Sequence, residues 1–247
     1  MWFSCLAASA FLNICDLINS KMAQLWQLIY SADDLNFRIQ SFSKESKIKG
    51  LLRIALFLAN ANNALFIVML YDVHRLVKYF TNITLLATIV FFTVACRVTQ
   101  NSSMNQKACH HVLFEITMLM NLVVVIVYWP LLHEDSLEEA GDNLGKIINC
   151  YVAHIVPCAS VMLNFQISDV VFKRSHIVAV PVIAVCYGVQ NYYETQKNGS
   201  PLYWFLTWED KESVFIYGGL VSFAMLLFMA CTAITEGIKR SNTASCD

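Results

Sequence analysis

Six runs of about twenty apolar residues, roughly 50–71, 78–97, 112–132, 147–167, 174–191 and 213–235, constrain this chain most. In hydrocarbon no water is present to satisfy backbone N–H and C=O groups, so a chain that spans with such runs must close its hydrogen bonds within helices. The sequence therefore predicts an all-α fold: a six-helix transmembrane bundle over 47–238. An interfacial helical segment over 1–46 precedes it and a short cytoplasmic tail over 239–247 follows. No internal repeat stands out.

Composition agrees with a membrane as solvent. Hydrophobic residues make up 57% of the chain and charged ones 14%, well short of the share that a water-soluble domain carries. The net charge of −1 comes from scattered residues, so the basic footprint that nucleic acid requires is missing. Nine cysteines lie mostly inside apolar runs without paired metal-binding spacings, and read as small packing residues. The opening "MWFSCLAASAFLNICDLIN" lacks a basic start and is interrupted by Asp16, which favours an interfacial helix over a signal peptide.

Basic residues orient the expected spans. Lys44, Lys47 and Lys49 precede the first span, Arg97 and Lys107 follow the second, Lys173 and Arg174 follow the fourth, and Lys239 and Arg240 close the chain. By the positive-inside rule these four regions face the cytoplasm. The acidic connection "HEDSLEEAGDNLGK" and the aromatic-rich "YYETQKNGSPLYWFLTWEDKE" then lie on the opposite side. The first connection, with Arg75 and Lys78, runs against this rule.

Polar groups inside the spans carry the functional signal, because ionisable side chains in a bilayer are costly and face a bundle interior or a watery cavity. His154, Pro157, Asn164 and Ser168 fall on one arc of the fourth helix. Pro157 frees the carbonyl of Ala153 beside His154. Thr81, Thr84 and Thr88 share one face of the second helix. Such stripes serve helix packing as readily as chemistry. At the helical rise, Thr81 and His154 lie roughly 6 and 10 Å deep from the same side. A hydroxyl becomes a nucleophile when a nearby base takes its proton, and histidine suits that task, so the two could form a dyad. No carboxylate is evident to orient the imidazole. Glu115 and Arg53 read as structural, with Arg53 snorkelling, and the asparagines of "NANN" at 60–63 as interhelical hydrogen-bonding groups.

Three short marks appear in order: "KYFT" at 78–81, "HIVP" at 154–157 and "NGSPLYWFL" at 198–206. With them the chain, over roughly 50–235, resembles the androgen-induced-protein family, which includes multipass membrane hydrolases. The resemblance implies a threonine hydrolase for fatty acid esters of hydroxy fatty acids, with Thr81 at the nucleophile position and His154 at that of the base. It also implies an endoplasmic reticulum membrane. Where some members carry a paired histidine this chain has Asn149 and Cys150, and where some carry an acid it has Asn164.

The expected substrate is a lipid entering from the bilayer, with Arg75 and Lys78 meeting its carboxylate and Asn164, on the arc of His154, as a third substrate contact. No cofactor or metal is required by that chemistry. Rival readings are a solute path lined by the same polar residues, a noncatalytic partner protein and a haem carrier. The haem carrier would need His111 to meet His176, or His133 to meet His154.

Overall fold

The computed structural model describes residues 47–99, 101–168 and 170–244, all helix, turn or irregular chain without a strand among them. The interfacial segment expected over 1–46 lies outside the described residues. Eight α-helices follow in order: α1 (Lys47–Leu70), α2 (Arg75–Lys78), α3 (Phe80–Ala95), α4 (Met104–Leu131), α5 (His133–Ala140), α6 (Leu144–Ile167), α7 (Ala179–Asn198) and α8 (Lys211–Ala244). A 3₁₀ turn, Arg174–Val178, leads into α7.

Among the described residues, four helices are long and apolar enough to cross a membrane: α1, α4, α6 and the Lys211–Gly237 part of α8. Helix α3, with 16 residues, is apolar but shorter than the run that encodes it. It is shortened because Tyr79 adopts extended backbone, at φ −90° and ψ 140°, which separates α3 from the single turn of α2. The fifth run is likewise divided between the 3₁₀ turn and α7, whose last two turns are polar. Helix α8 continues through Ala244, into the expected tail.

Local chemistry sets the boundaries. Ser103 and Gln106 form a reciprocal capping box at the start of α4, each side chain accepting the other's backbone N–H. The Asn143 side chain accepts the Lys146 N–H at the start of α6. Gly199, at φ 65°, ends α7 in the left-handed conformation that glycine adopts without a Cβ clash.

Helices α1, α3, α4 and α6 pack against one another as the nucleus, while α7 and α8 pack together beside it and meet it chiefly along α4. Phe91, Phe92, Phe114, Val161, Phe172 and Phe228 form the core where these groups join, each no more than 1% exposed. Outward faces are apolar too. Leu51, Leu58, Val185, Phe215 and Leu226 are exposed, as expected where lipid replaces water.

A polar seam joins α1 to α6. Asn60 Nδ2 donates to Ser160 Oγ at 2.9 Å and Asn63 Nδ2 to the Val152 carbonyl at 3.3 Å. Arg53 Nε donates to Asn164 Oδ1 at 3.1 Å. The asparagines thus bind helix to helix. Arg53, expected to snorkel, is instead 4% exposed and turned inward to Asn164.

Candidate active site

The connections 71–79, 132–143 and 199–210 gather at one end of the bundle, tied by Arg75 to Glu139, Lys78 to Glu194 and the Phe80 N–H to Tyr203. Thr81 stands there in the first turn of α3. Its N–H belongs to the donors that a helix leaves without intrahelical partners, and the helix dipole is positive at that end. Asn82 Nδ2 donates to the Arg75 carbonyl at 2.8 Å, which fixes α2 against α3 and spends that amide on structure.

His154 projects from α6, and its Nε2 is 3.3 Å from Thr81 Oγ1. Its other nitrogen, Nδ1, is 2.8 Å from the Cys150 carbonyl. A carbonyl only accepts, so Nδ1 carries the proton and Nε2 presents a lone pair to the threonine hydroxyl. That is the tautomer of a general base. The role an acid plays in a serine-type triad falls here to a backbone carbonyl one turn earlier on the same helix. Tyr128 of α4 lies flat on the imidazole, with 7° between the ring planes, and its hydroxyl meets His133 Nδ1 at 3.1 Å. Stacking and the backbone bond together fix the ring's plane and rotation.

Between the nucleus and the α7–α8 pair lies a cavity with about 870 Å³ of empty space, part of it open to the outside. Thr81, Tyr128, Val124, Ile183, Tyr203 and Val221 are among its lining residues, and the lining is almost wholly apolar. Thr81 and Tyr128 join this apolar space to the imidazole, the first through its hydroxyl and the second through its ring.

Two phenols supply the polar exception. The Phe80 N–H donates to the Tyr203 oxygen at 3.0 Å, Asn191 Nδ2 donates to the Tyr187 oxygen at 3.4 Å, and the two hydroxyls are 3.3 Å apart. One phenolic proton, that of Tyr187, bridges the pair by pointing to the Tyr203 oxygen. The second has no partner within this chain of bonds and lies at the cavity wall, beside the turn that carries Thr81. Trp208 Nε1 anchors the far end of the chain on Asn191 Oδ1 at 2.7 Å. Burial raises the Tyr203 phenol above its ordinary value, which keeps that proton in place.

The expected substrate contacts fare differently. Arg75 lies over the Tyr71 ring and 3.6 Å from Glu139, and Lys78 is 3.6 Å from Glu194. Both cations border the site, and each already faces an acid. Asn164 is not brought to the dyad. It is 0% exposed, holds Arg53, and lies about 15 Å further along α6 than His154. It shares an arc with His154, yet a shared arc fixes direction and leaves axial distance open. Thr88 Oγ1 donates to the Thr84 carbonyl and accepts from Asn121 Nδ2, so this threonine of the stripe serves packing.

Tyr128, Tyr187 and Tyr203 escaped the sequence reading. The aromatic-rich connection that holds Tyr203 was a visible signal, but an interfacial aromatic has the same signature as one folded inward. A second buried polar cluster, His111, Glu115 and His176, lies towards the other end of α4 and has the donor types of a metal site. Comparison of the whole chain with protein-family models, with curated proteins and with solved structures finds no match.

Proposed function

We propose that this protein is an intramembrane threonine-dependent ester hydrolase acting on fatty acid esters of hydroxy fatty acids. The observation that carries the reading is the contact of Thr81 Oγ1 with the proton-free Nε2 of His154, at 3.3 Å, beside an apolar cavity. Nε2 takes the hydroxyl proton as Oγ1 attacks the ester carbonyl. The uncommitted phenolic proton of the Tyr203–Tyr187 pair and the Thr81 N–H stabilise the oxyanion. Collapse expels the alkoxide of the hydroxy fatty acid, which takes the proton back from the imidazolium. Water, deprotonated by His154, then attacks the acyl-threonine, and the fatty acid is released as Thr81 Oγ1 takes the proton back from the imidazolium.

In this reading the acyl chain occupies the cavity and the substrate carboxylate stays at the surface beside Arg75 and Lys78, exchanging with Glu139 and Glu194. Six spans belong to the same proposal, with α3 as the second and the 3₁₀ turn plus α7 as the fifth, in an endoplasmic reticulum membrane. The location rests on the family resemblance.

A noncatalytic membrane partner is the second reading, favoured by the α1–α6 seam, in which Arg53, Asn60 and Asn63 bond to groups of the neighbouring helix and serve its packing. Purified protein offered a panel of lipid esters and an activity-based hydrolase probe separates the two. Hydrolysis and labelling are expected in wild type and absent in Thr81→Ala. Labelling that persists in Thr81→Ala assigns the nucleophile elsewhere, and a well-folded wild type that cleaves no ester in the panel supports the partner reading.

A further inference from the structure

We propose that His111, Glu115 and His176 bind one divalent transition-metal ion, zinc in the first instance, which clamps α4 to the 3₁₀ turn ahead of α7. His111 and Glu115 stand four residues apart on α4, so one helical turn brings both side chains to the same face. His176 comes from the 3₁₀ turn on the opposite side. One donor atom from each residue lies within 4.8 Å of the other two. His111 Nε2 is 3.1 Å from Glu115 Oε1, and His176 Nδ1 is in hydrogen-bond contact with Glu115 Oε2. Ligand atoms that surround a zinc ion at about 2.0–2.2 Å stand about 3.3–3.6 Å from one another in a tetrahedron, so side-chain shifts on the order of 1 Å would bring donors within 4.8 Å of one another to coordination.

The chemistry of the donors favours a cation over a proton. His111 Nε2 faces two acceptor oxygens, Glu115 Oε1 at 3.1 Å and the Val171 carbonyl at 2.9 Å, and one N–H serves both poorly. With an ion among them, the two imidazole lone pairs and the carboxylate become ligands. The Lys173 N–H, 2.6 Å from Glu115 Oε1, then holds the carboxylate in place from behind. Glu115 is 0% exposed and His176 4%, and a carboxylate shut away from water stabilises a bound cation strongly. Two imidazoles and one carboxylate are a known zinc ligand set, with a fourth position left for water or the Val171 carbonyl.

Glu115 and Tyr128, which covers the His154 ring, are about 20 Å apart along α4. The ion is therefore structural, remote from the hydrolytic chemistry, and the two proposals fail independently.

The test uses full-length protein in detergent micelles, purified without chelator and without a polyhistidine tag. It is stripped of metal and then titrated with cobalt(II) as a coloured substitute for zinc. One bound equivalent per chain, visible ligand-field bands and a rise in melting temperature with zinc are expected. All are lost in Glu115→Gln and His176→Ala and kept in His74→Ala, which removes an exposed imidazole. No bound equivalent in the wild type, or one that both Glu115→Gln and His176→Ala retain, overturns the proposal. Where those variants do not fold, X-ray absorption of the zinc-loaded wild type decides. Two imidazole nitrogens with oxygen neighbours support the site, and sulfur neighbours or none of these refute it.

Discussion

Two clusters of polar groups, towards opposite ends of α4, look alike in sequence and differ in what surrounds them. At the dyad end, the His154 imidazole gives its Nδ1 proton to a backbone carbonyl and turns its bare Nε2 to a hydroxyl on the rim of an apolar cavity. At the other end, His111 and His176 both turn a nitrogen onto one buried carboxylate. An imidazole with an open neighbour and a free lone pair is arranged to move a proton, whereas imidazoles closed around a charge are arranged to hold something still. The difference is set by the partner of the second nitrogen and by the presence of space.

Substitutions can break that comparison, beginning with the largest expected effect. His154→Ala should lower kcat for ester hydrolysis by about 10²–10⁴-fold. His133→Ala removes a ring that touches Tyr128 and makes no bond to Thr81, and should cost less than about tenfold on the same scale. Equal losses in steady-state kinetics would remove the special status of His154. At the opposite end, Glu115→Ala leaves two imidazoles and the Lys173 N–H facing an emptied, buried space, and should destabilise the fold by about 3–5 kcal/mol. Thermal unfolding in micelles, with Thr81→Ala as the reference, measures it. A Glu115→Ala midpoint equal to that of Thr81→Ala would show the two ends to be energetically alike.

Tyr203→Phe sharpens the dyad end. It removes a phenol from the bonded pair and should reduce kcat by about 10²-fold with KM little changed, the signature of an interaction made in the transition state. A raised KM with unchanged kcat would move Tyr203 to ground-state binding. The smallest effect is expected in the seam. Ser160→Ala removes one interhelical bond from Asn60 and should cost about 0.6 kcal/mol, read from the same unfolding measurement. A loss of several kcal/mol there would make the seam, rather than the Glu115 cluster, the rigid part of the bundle.

Much of the helical framework was legible because apolar runs in oil have one backbone solution, and because caps such as Ser103 with Gln106 and Gly199 are local signals. The break at Tyr79 was not, since a single extended residue within an apolar run leaves no pattern. Thr81 and His154 were legible individually, as polar groups out of place, and counting residues put them at similar depth. The proton on Nδ1 was not, because it depends on a rotamer that reaches back to Cys150. Asn164 misled for the complementary reason: its angular position was right for the site and its axial position was that of Arg53.

By itself, the sequence determined that the chain is helical and apolar on its outside, because backbone satisfaction and solvent choice are local properties averaged over twenty or so residues. Tertiary structure decided which polar groups meet: Thr81 with His154, Tyr203 with Tyr187, Glu115 with two histidines, Asn164 with Arg53. Each pairing depends on rotation, offset and side-chain conformation of two separate elements. Displacing a helix by one turn exchanges partners while leaving every apolar run unchanged.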